Sequence, residues 1–495
     1  MSKFLDLSRF NYKNEKEPEK GGLDTSILSE EQKLAFEKFK NKENIFLTGP
    51  GGTGKTKLIQ YFVEHSVNNG SKYQVCAMTG CAAILLNCNA RTLHSWSGIK
   101  LAKGKKSKII ESVVNNKNSL RNWKKTSVLI LDEVSMLSKK IFDLLEELAR
   151  TVKKNNLPFG GMQLVFSGDF CQLPPIGTPG ESDTFSFCFQ SEYWNNVFPK
   201  NNHILLTKIF RQTDVNYMNT LQNIRKGVIT IHDYTLLKEC LNKKFDPEKH
   251  NGCVPTKLFP LRSKTDYVNK MMYSELEGED HLFELTQVTN NLLYDNGKPI
   301  PTPVLNNCEK LTANEIEHEI SQLITNTPSV QMLRLKIGAA VMCNVNLDMD
   351  NSICNGSQGI VKDIIKNGDS PPVIVVKFSN GIIKHILPYF WQSEEYPIIS
   401  IGQYPLCLAW ALTIHKIQGA TLDLAEIDVG NSVFEYGQTY VALSRVKNMD
   451  GLYLSAFEPE RIQTNPIVSE FYENISKFNV LEKQEKSTDI KKIVL

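Results

Sequence analysis

The sequence predicts an α/β fold, and three observations predict it. Gly49-Pro50-Gly51-Gly52-Thr53-Gly54-Lys55-Thr56 is a complete G-x-x-x-x-G-K-[ST] motif. It lies between an apolar run, Ile45-Phe46-Leu47, that reads as a buried strand, and Lys57 to Val63, which reads as a helix. Downstream, Val128-Leu129-Ile130-Leu131 is a second buried strand that ends in two acids, Asp132-Glu133. Glycines let the backbone close around a phosphate, with N–H groups and a helix N-terminus aimed at it. Lys55 is then expected to reach the β- and γ-phosphates and the Thr56 hydroxyl to hold Mg²⁺. The chain is therefore expected to bind a nucleoside triphosphate, ATP, with Mg²⁺ as its metal.

Composition sets the frame. A chain of 495 residues has room for about three domains, and 41% apolar with 22% charged residues is ordinary for a globular protein. A net charge of +3 is too small to demand a nucleic-acid partner, so any basic track must be local. Residues 1–20 lack the apolar core of a signal peptide, and the longest apolar stretch, near Leu406 to Leu412, is too short to span a bilayer. These features lead to the expectation of a soluble intracellular protein with no membrane partner. Eleven cysteines without a C-x-x-C pair argue against a disulfide framework and a zinc ribbon.

In chain order, residues 1–27 read as a disordered tail. Order begins with Ser29 as an N-cap and Leu34, Ala35, Phe36 and Phe39 at helical spacing. Gln32 carries an amide able to pair with N6 and N7 of adenine, or is simply a solvated helix-start glutamine. A strand over Gln74 to Met78 ends at Thr79, and Arg91-Thr92-Leu93-His94 follows. Thr79 and His94 thus stand where the carboxyl edge of a parallel sheet meets a ligand, unless this is an ordinary strand-to-helix turn. Between Trp96 and Lys125 the chain turns basic, with Lys100, Lys103, Lys105, Lys106, Lys108, Lys117, Arg121, Lys124 and Lys125. Cations with tryptophans near both ends suit single-stranded nucleic acid, although a solvated surface excursion also explains the charge.

Asp132 is placed to bind Mg²⁺ through water, and Glu133 to orient or deprotonate the attacking water. The strand Gln163 to Ser167 ends at Gly168-Asp169-Phe170-Cys171-Gln172, where Gln172 can sense a γ-phosphate. Thr207-Lys208-Ile209-Phe210-Arg211-Gln212 leads into a helix ending near Arg225, and a second α/β layer starts at Lys257 to Arg262. From Leu335 to Val376, glycines punctuate short β-branched runs, the pattern of a small inserted antiparallel barrel. The α/β pattern resumes at Leu406 to Leu412. His415, Lys416 and Gln418 then follow at an expected strand-to-helix junction, and Tyr440-Val441-Ala442-Leu443-Ser444-Arg445 comes after it. Arg445 suits phosphate or a surface salt bridge. Beyond Phe457 a charged, mobile tail is expected.

These segments, in this order from Leu28 to about Phe457, resemble the Pif-type (petite integration frequency) superfamily-one DNA helicases, related to RecD and Dda. The resemblance places Gln32 in an adenine-reading motif, Lys55 and Thr56 in motif I, and Thr79 and His94 in a strand-contacting motif. It puts Asp132 and Glu133 in motif II, Gln172 in motif III, Arg211 in motif IV, His415, Gln418 and Gly419 in motif V, and Arg445 in motif VI as an arginine finger. It implies two RecA-like P-loop NTPase domains with a small inserted SH3-like β-barrel, ATP between the domains, and single-stranded DNA across their tops. Thr79, His94, His415 and Gln418 are then the DNA-binding residues, and Lys55, Glu133, Gln172, Arg211 and Arg445 the catalytic ones.

The expected organisation is domain 1A over 28–210 with a basic insertion 1B at about 96–125, domain 2A over 211–334 and 405–458, barrel 2B over 335–404, and a C-terminal tail over 459–495. The implied function is ATP-dependent 5′→3′ unwinding of tailed or forked duplex DNA by a monomer, in replication, repair or recombination. A translocase that does not unwind, and an ATP-switched DNA-binding scaffold, are the alternatives. Asn87-Cys88-Asn89-Ala90-Arg91 stands where the family usually has a Gly-Gly pair, and Ile417 replaces a common serine. Both departures lie beside DNA-contacting positions.

Overall fold

The structure, a computed structural model, describes residues 24–477 except 87, 89, 101, 103, 251–252, 295–297, 309–310, 349–350, 352, 369 and 394–395. Most of the expected N-terminal tail, up to residue 23, and residues 478–495 fall outside the described residues, as do Asn87 and Asn89. The chain forms two compact units. Of the described residues, one unites 24–238 with 429–444 and 457–477, and the other comprises 239–428 and 445–456.

The first unit carries a six-stranded sheet in the order β3-β2-β4-β5-β1-β6. The strands are β1 (Ile45–Thr48), β2 (Tyr73–Ala77), β3 (Arg91–Thr92), β4 (Val128–Asp132), β5 (Gln163–Gly168) and β6 (His203–Leu205). Every pairing in it is parallel, which buries both faces beneath crossover helices. The period-2 alternation of side chains shows in the two cores. Phe46, Leu129, Leu131, Leu164 and Phe166 face one, while Ile45, Leu47, Val128, Ile130 and Val165 face the other. Each such side chain contributes about 1.5–3 kcal/mol by leaving water, so the sheet register is strongly fixed. In that register Thr48 pairs with Gly168 and Leu131 with Phe166. The carboxyl ends of β1, β5 and β4 are therefore neighbours.

Three expectations need correction. Residues 211–238 fold with the phosphate-loop unit and not with the second α/β layer. The reason is tertiary: the helix Val215–Arg225 places Tyr217 and Arg225 in buried contacts with Leu443 and Asp169 of the same unit. The basic segment forms the helices Lys106–Asn115 and Lys117–Lys125, but its tryptophans are not a surface feature. Trp96 and Trp123 are 1% and 0% exposed, lie 4.6 Å apart, and belong to the main core, with the Trp123 indole N–H donating to the Ser97 carbonyl. The described chain just beyond Phe457, up to residue 477, is also not a free tail, because 466–477 is a helix that buries Val468 and Ile475 in that core.

The second unit has a four-stranded sheet in which Thr256–Phe259 pairs in parallel with Ala411–Thr413 on one side and Ala425–Val429 on the other. Its inserted residues are antiparallel. Ile383–Ile386, Ser370–Phe378, Gln358–Asn367 and Ala340–Cys343 form a continuous ladder that ends on Leu406–Leu408. Gln358 fastens this ladder to the parallel sheet. Its amide donates to Thr256 Oγ1 at 2.7 Å and to the Leu424 carbonyl at 2.8 Å, and accepts the Leu424 N–H at 3.0 Å. Separate antiparallel pairings join Tyr389–Gln392, Ser400–Gln403 and Thr286–Val288.

Candidate active site

Three glycines of the loop after β1 have positive φ, at 148° for Gly49, 83° for Gly52 and 81° for Gly54. A Cβ on each would meet, respectively, the Leu206 carbonyl oxygen at 2.4 Å, Arg211 Cβ at 2.5 Å and Gln32 Nε2 at 2.8 Å. Two of these neighbours, Arg211 and Gln32, are residues that the sequence separately nominates. Lys55 starts the helix Lys55–Asn68 and donates to the Gly49 and Pro50 carbonyls at 2.7 and 2.9 Å, while Thr53 Oγ1 donates to Pro50. Burial lowers the Lys55 pKa, and the charges of Asp169, Glu133 and Asp132 oppose that shift.

The acids sit at the end of β4. Burial raises the Asp132 carboxyl to about 6, with the neighbouring Glu133 charge pushing the same way. Glu133 itself stands at φ 55°, a left-handed conformation that a non-glycine residue adopts only when its surroundings hold it. Gln172 is 4% exposed, and its Oε1 has no hydrogen-bond partner among the described residues. A buried, unsatisfied acceptor is costly without a partner, so it suits a site where a water is to be held. Gln172 hangs from Asp169, whose carbonyl accepts the Gln172 N–H at 2.9 Å.

Gln32 is not solvated. Its Oε1 accepts the Ser29 N–H at 2.9 Å in a capping box, and its Nε2 donates to the Thr53 carbonyl at 3.2 Å. The same amide therefore caps a helix and touches the phosphate loop. Arg211 lies in the phosphate-loop unit, half-buried, and donates to the Ser444 carbonyl at 3.0 Å. Arg445 is 2% exposed and belongs to the other unit, where its carbonyl accepts the Leu422 N–H at 2.9 Å.

Thr79 and His94 follow the ends of the paired strands β2 and β3 and so share one sheet edge. Thr79 caps the helix Gly80–Leu85 by accepting the Ala82 N–H. His415 and Gln418 lie in the other unit, in turns directly after Ala411–Thr413 where the sequence predicts a helix. Burial lowers the pKa of both His94 and His415, which favours their neutral, hydrogen-bonding form. Ile417 is fully buried, so the missing serine is replaced by a core side chain while Lys416 remains exposed.

Sequence reasoning assigns no role to Asp169, Arg225, Tyr440 or Tyr472. Arg225 grips Asp169 with two bonds, Nε to Oδ2 at 2.9 Å and Nη2 to Oδ1 at 2.8 Å, and both are buried. Burial alone would raise the Asp169 pKa, but the guanidinium outweighs it and holds the carboxyl down. The Tyr440 hydroxyl accepts the Gly51 N–H at 2.9 Å. The signal that could have found Tyr472 is a stripe, Val468, Phe471, Tyr472 and Ile475, at helical spacing inside charged sequence.

A sequence profile described as PIF1-like helicase matches residues 27–234, and one described as DNA helicase Pif1, 2B domain, matches 320–364. The crystal structure of Pif1 helicase from Candida albicans superposes with a TM-score of 0.70 at 31% identity, covering 91% of this chain and 99% of that one. The chain belongs to the PIF1-like helicase family. The PIF1-like relative from Xenopus laevis, an ATP-dependent DNA helicase, is 34% identical over 92% of this chain, which spans 65% of that relative's length. A Bacteroides Pif1 helicase in complex with ADP-AlF3 and single-stranded DNA matches with a TM-score of 0.59 at 28% identity, covering 91% of this chain and 97% of that one. Among the described residues of this PIF1-like chain, no helix is long and apolar enough to cross a membrane.

Proposed function

We propose that this chain is an ATP-dependent DNA helicase that moves 5′→3′ along single-stranded DNA and opens tailed or forked duplexes. The observation that carries this reading is the meeting, at the carboxyl edge of one parallel sheet, of the glycine cradle with Lys55, the Asp132-Glu133 pair and the unsatisfied amide oxygen of Gln172. That set suits a triphosphate. The loop N–H groups and Lys55 would hold its phosphates, Thr56 and Asp132 would hold Mg²⁺, and Gln32 would face the adenine. Bound Mg²⁺ would offset phosphate charge. Glu133 orients a water and takes its proton, Gln172 holds that water through Oε1, and Arg211 faces the charge that develops on the transferred group. Arg445 joins this set through its motif alone.

Domain-wise, residues 335–404 are proposed as an SH3-like barrel inserted in the second unit, which the antiparallel ladder and the 2B match support. Thr79, His94, His415 and Gln418 are proposed to contact the strand. The single chain carries every nominated residue, which supports action as a monomer.

The test is phosphate release with and without single-stranded DNA, run beside displacement of 5′- and 3′-tailed duplexes. The reading expects strand-stimulated hydrolysis and opening of the 5′-tailed substrate only. Stimulated hydrolysis without displacement would replace it by a translocase, and no hydrolysis would replace it by a switched scaffold.

A further inference from the structure

We propose that Tyr472, on the helix 466–477, is a positioning residue for ATP hydrolysis, which rests on the enzymatic reading above. Its hydroxyl lies where two strand ends meet. It is 2.7 Å from Thr48 Oγ1, accepts the Phe170 N–H at 3.0 Å, and donates to Asp169 Oδ1 at 3.2 Å. A phenol has one proton to give and two lone pairs to fill, so the Thr48 hydroxyl must be the donor in the first contact. All three capacities are then used, and each goes to a different backbone or side-chain site of the catalytic edge.

The partners explain the role. Thr48 is the last residue of β1, and Gly49, the first of the cradle, follows it directly. Asp169 and Phe170 follow β5, and the Asp169 carbonyl holds the N–H of Gln172. One hydroxyl therefore ties the loop that carries Lys55 to the turn that carries Gln172, across the pair Thr48 and Gly168. Arg225 completes the clamp, with its guanidinium 4.7 Å from the Tyr472 ring centre while it forks onto Asp169. Its helix is seated among aromatic neighbours, since the Tyr472 ring lies 5.6 Å from that of Phe471, which stacks on Phe189 at 4.2 Å and meets Phe170 at 5.4 Å. Removing the oxygen would leave that seat intact while stranding the buried Phe170 N–H. The Gln172 turn would then be free to shift against the cradle.

The experiment compares Tyr472→Phe, Thr48→Val and the double variant with the parent in steady-state ATP hydrolysis on saturating single-stranded DNA. A positioning role expects each single variant to lose about tenfold in kcat with KM for ATP within about twofold, because the loss falls on alignment and not on nucleotide binding. Both substitutions break one link, so the double variant should be no slower than the slower single. Parental kcat in Tyr472→Phe overturns the proposal. So does a multiplicative loss in the double variant, or a lowered melting temperature with kcat unchanged, since those mark independent packing effects. A parent that fails to hydrolyse ATP takes down the enzymatic reading as well, whereas an active parent with unaltered variants takes down this inference alone.

Discussion

Arg225 and Asp169 form a two-pronged ion pair inside the phosphate-loop unit, at 2.9 and 2.8 Å, with 8% and 0% of each residue exposed. Removing one partner of such a pair leaves an uncompensated buried charge, which costs about 3–5 kcal/mol. Arg225→Met should therefore lower the urea midpoint of this unit markedly. Asp169→Leu combined with Arg225→Met should recover much of that loss. A double variant as unstable as the single would mean that the pair's hydrogen bonds, and not its charge balance, hold the fold.

Lys55→Ala should abolish ATP hydrolysis while leaving single-strand binding, measured by fluorescence anisotropy, largely intact. The Lys55 ammonium donates to the loop carbonyls of Gly49 and Pro50, whereas the proposed strand contacts lie on other segments. Arg211→Ala and Arg445→Ala should each keep ATP binding and lose about 10³-fold in hydrolysis. An arginine whose variant hydrolyses at the parental rate plays no part in the chemistry.

Gln32→Ala should raise KM for ATP and narrow any preference for ATP over GTP. It should also destabilise the first helix, because the half of the capping box in which Gln32 Oε1 accepts the Ser29 N–H is lost. A purely structural glutamine would show the second effect without the first, so the ratio of the two kcat/KM values separates them.

The buried tryptophans change what the basic segment can be asked to do. Trp123→Ala should cost about 3–5 kcal/mol by opening a cavity in the core, visible in thermal unfolding, rather than a specific loss of duplex opening. Any grip on the strand must come from exposed cations such as Lys105, Lys108, Lys117 and Lys124. Changing these four to Gln should make the slope of log K against log salt for single strands shallower, by about 0.7 for each phosphate that a lysine no longer neutralises. An unchanged slope would mark the segment as a solvated face.

His203 supplies a pH signature. It is 5% exposed between Phe46, Trp194 and Phe471, and burial lowers its pKa to about 4, with Lys200 pushing the same way and the Phe198 carbonyl opposing. The unfolded chain binds this proton near pH 6.5 and the folded one only near 4, so stability is lost as pH falls through that window, by about 1.4 kcal/mol per unit. His203→Phe should flatten the fall in urea midpoint between pH 7 and 5. An unchanged pH dependence would assign the acid sensitivity to other groups.

The catalytic edge is legible in the sequence because its signals are local. The loop from Gly49 to Thr56, the Asp132-Glu133 pair and Gln172 each follow an apolar strand within a few residues, and a parallel sheet then sets their ends side by side. What escapes is long-range. Trp96 and Trp123 sit in charged sequence, and composition cannot say which side of a helix meets the core. Sequence alone puts Arg211 in the wrong unit because nothing near it along the chain reveals that Gly52 and Ser444 are its neighbours. Tyr472 is hidden for the same reason, since its partners Thr48 and Asp169 lie hundreds of residues upstream.

That separation also sets a clock. Thr48 and Tyr472 are 424 residues apart, and a ribosome adding about 5–20 residues per second needs roughly 20–85 s to make the second after the first. Until then the faces of Phe46 and Phe170 that will meet Phe471 have no cover, and β1 waits beside an unfinished core. The phosphate-loop unit can complete itself only after nearly all of the described chain has been synthesised, which makes the nascent protein a natural client for chaperones that shield apolar surface.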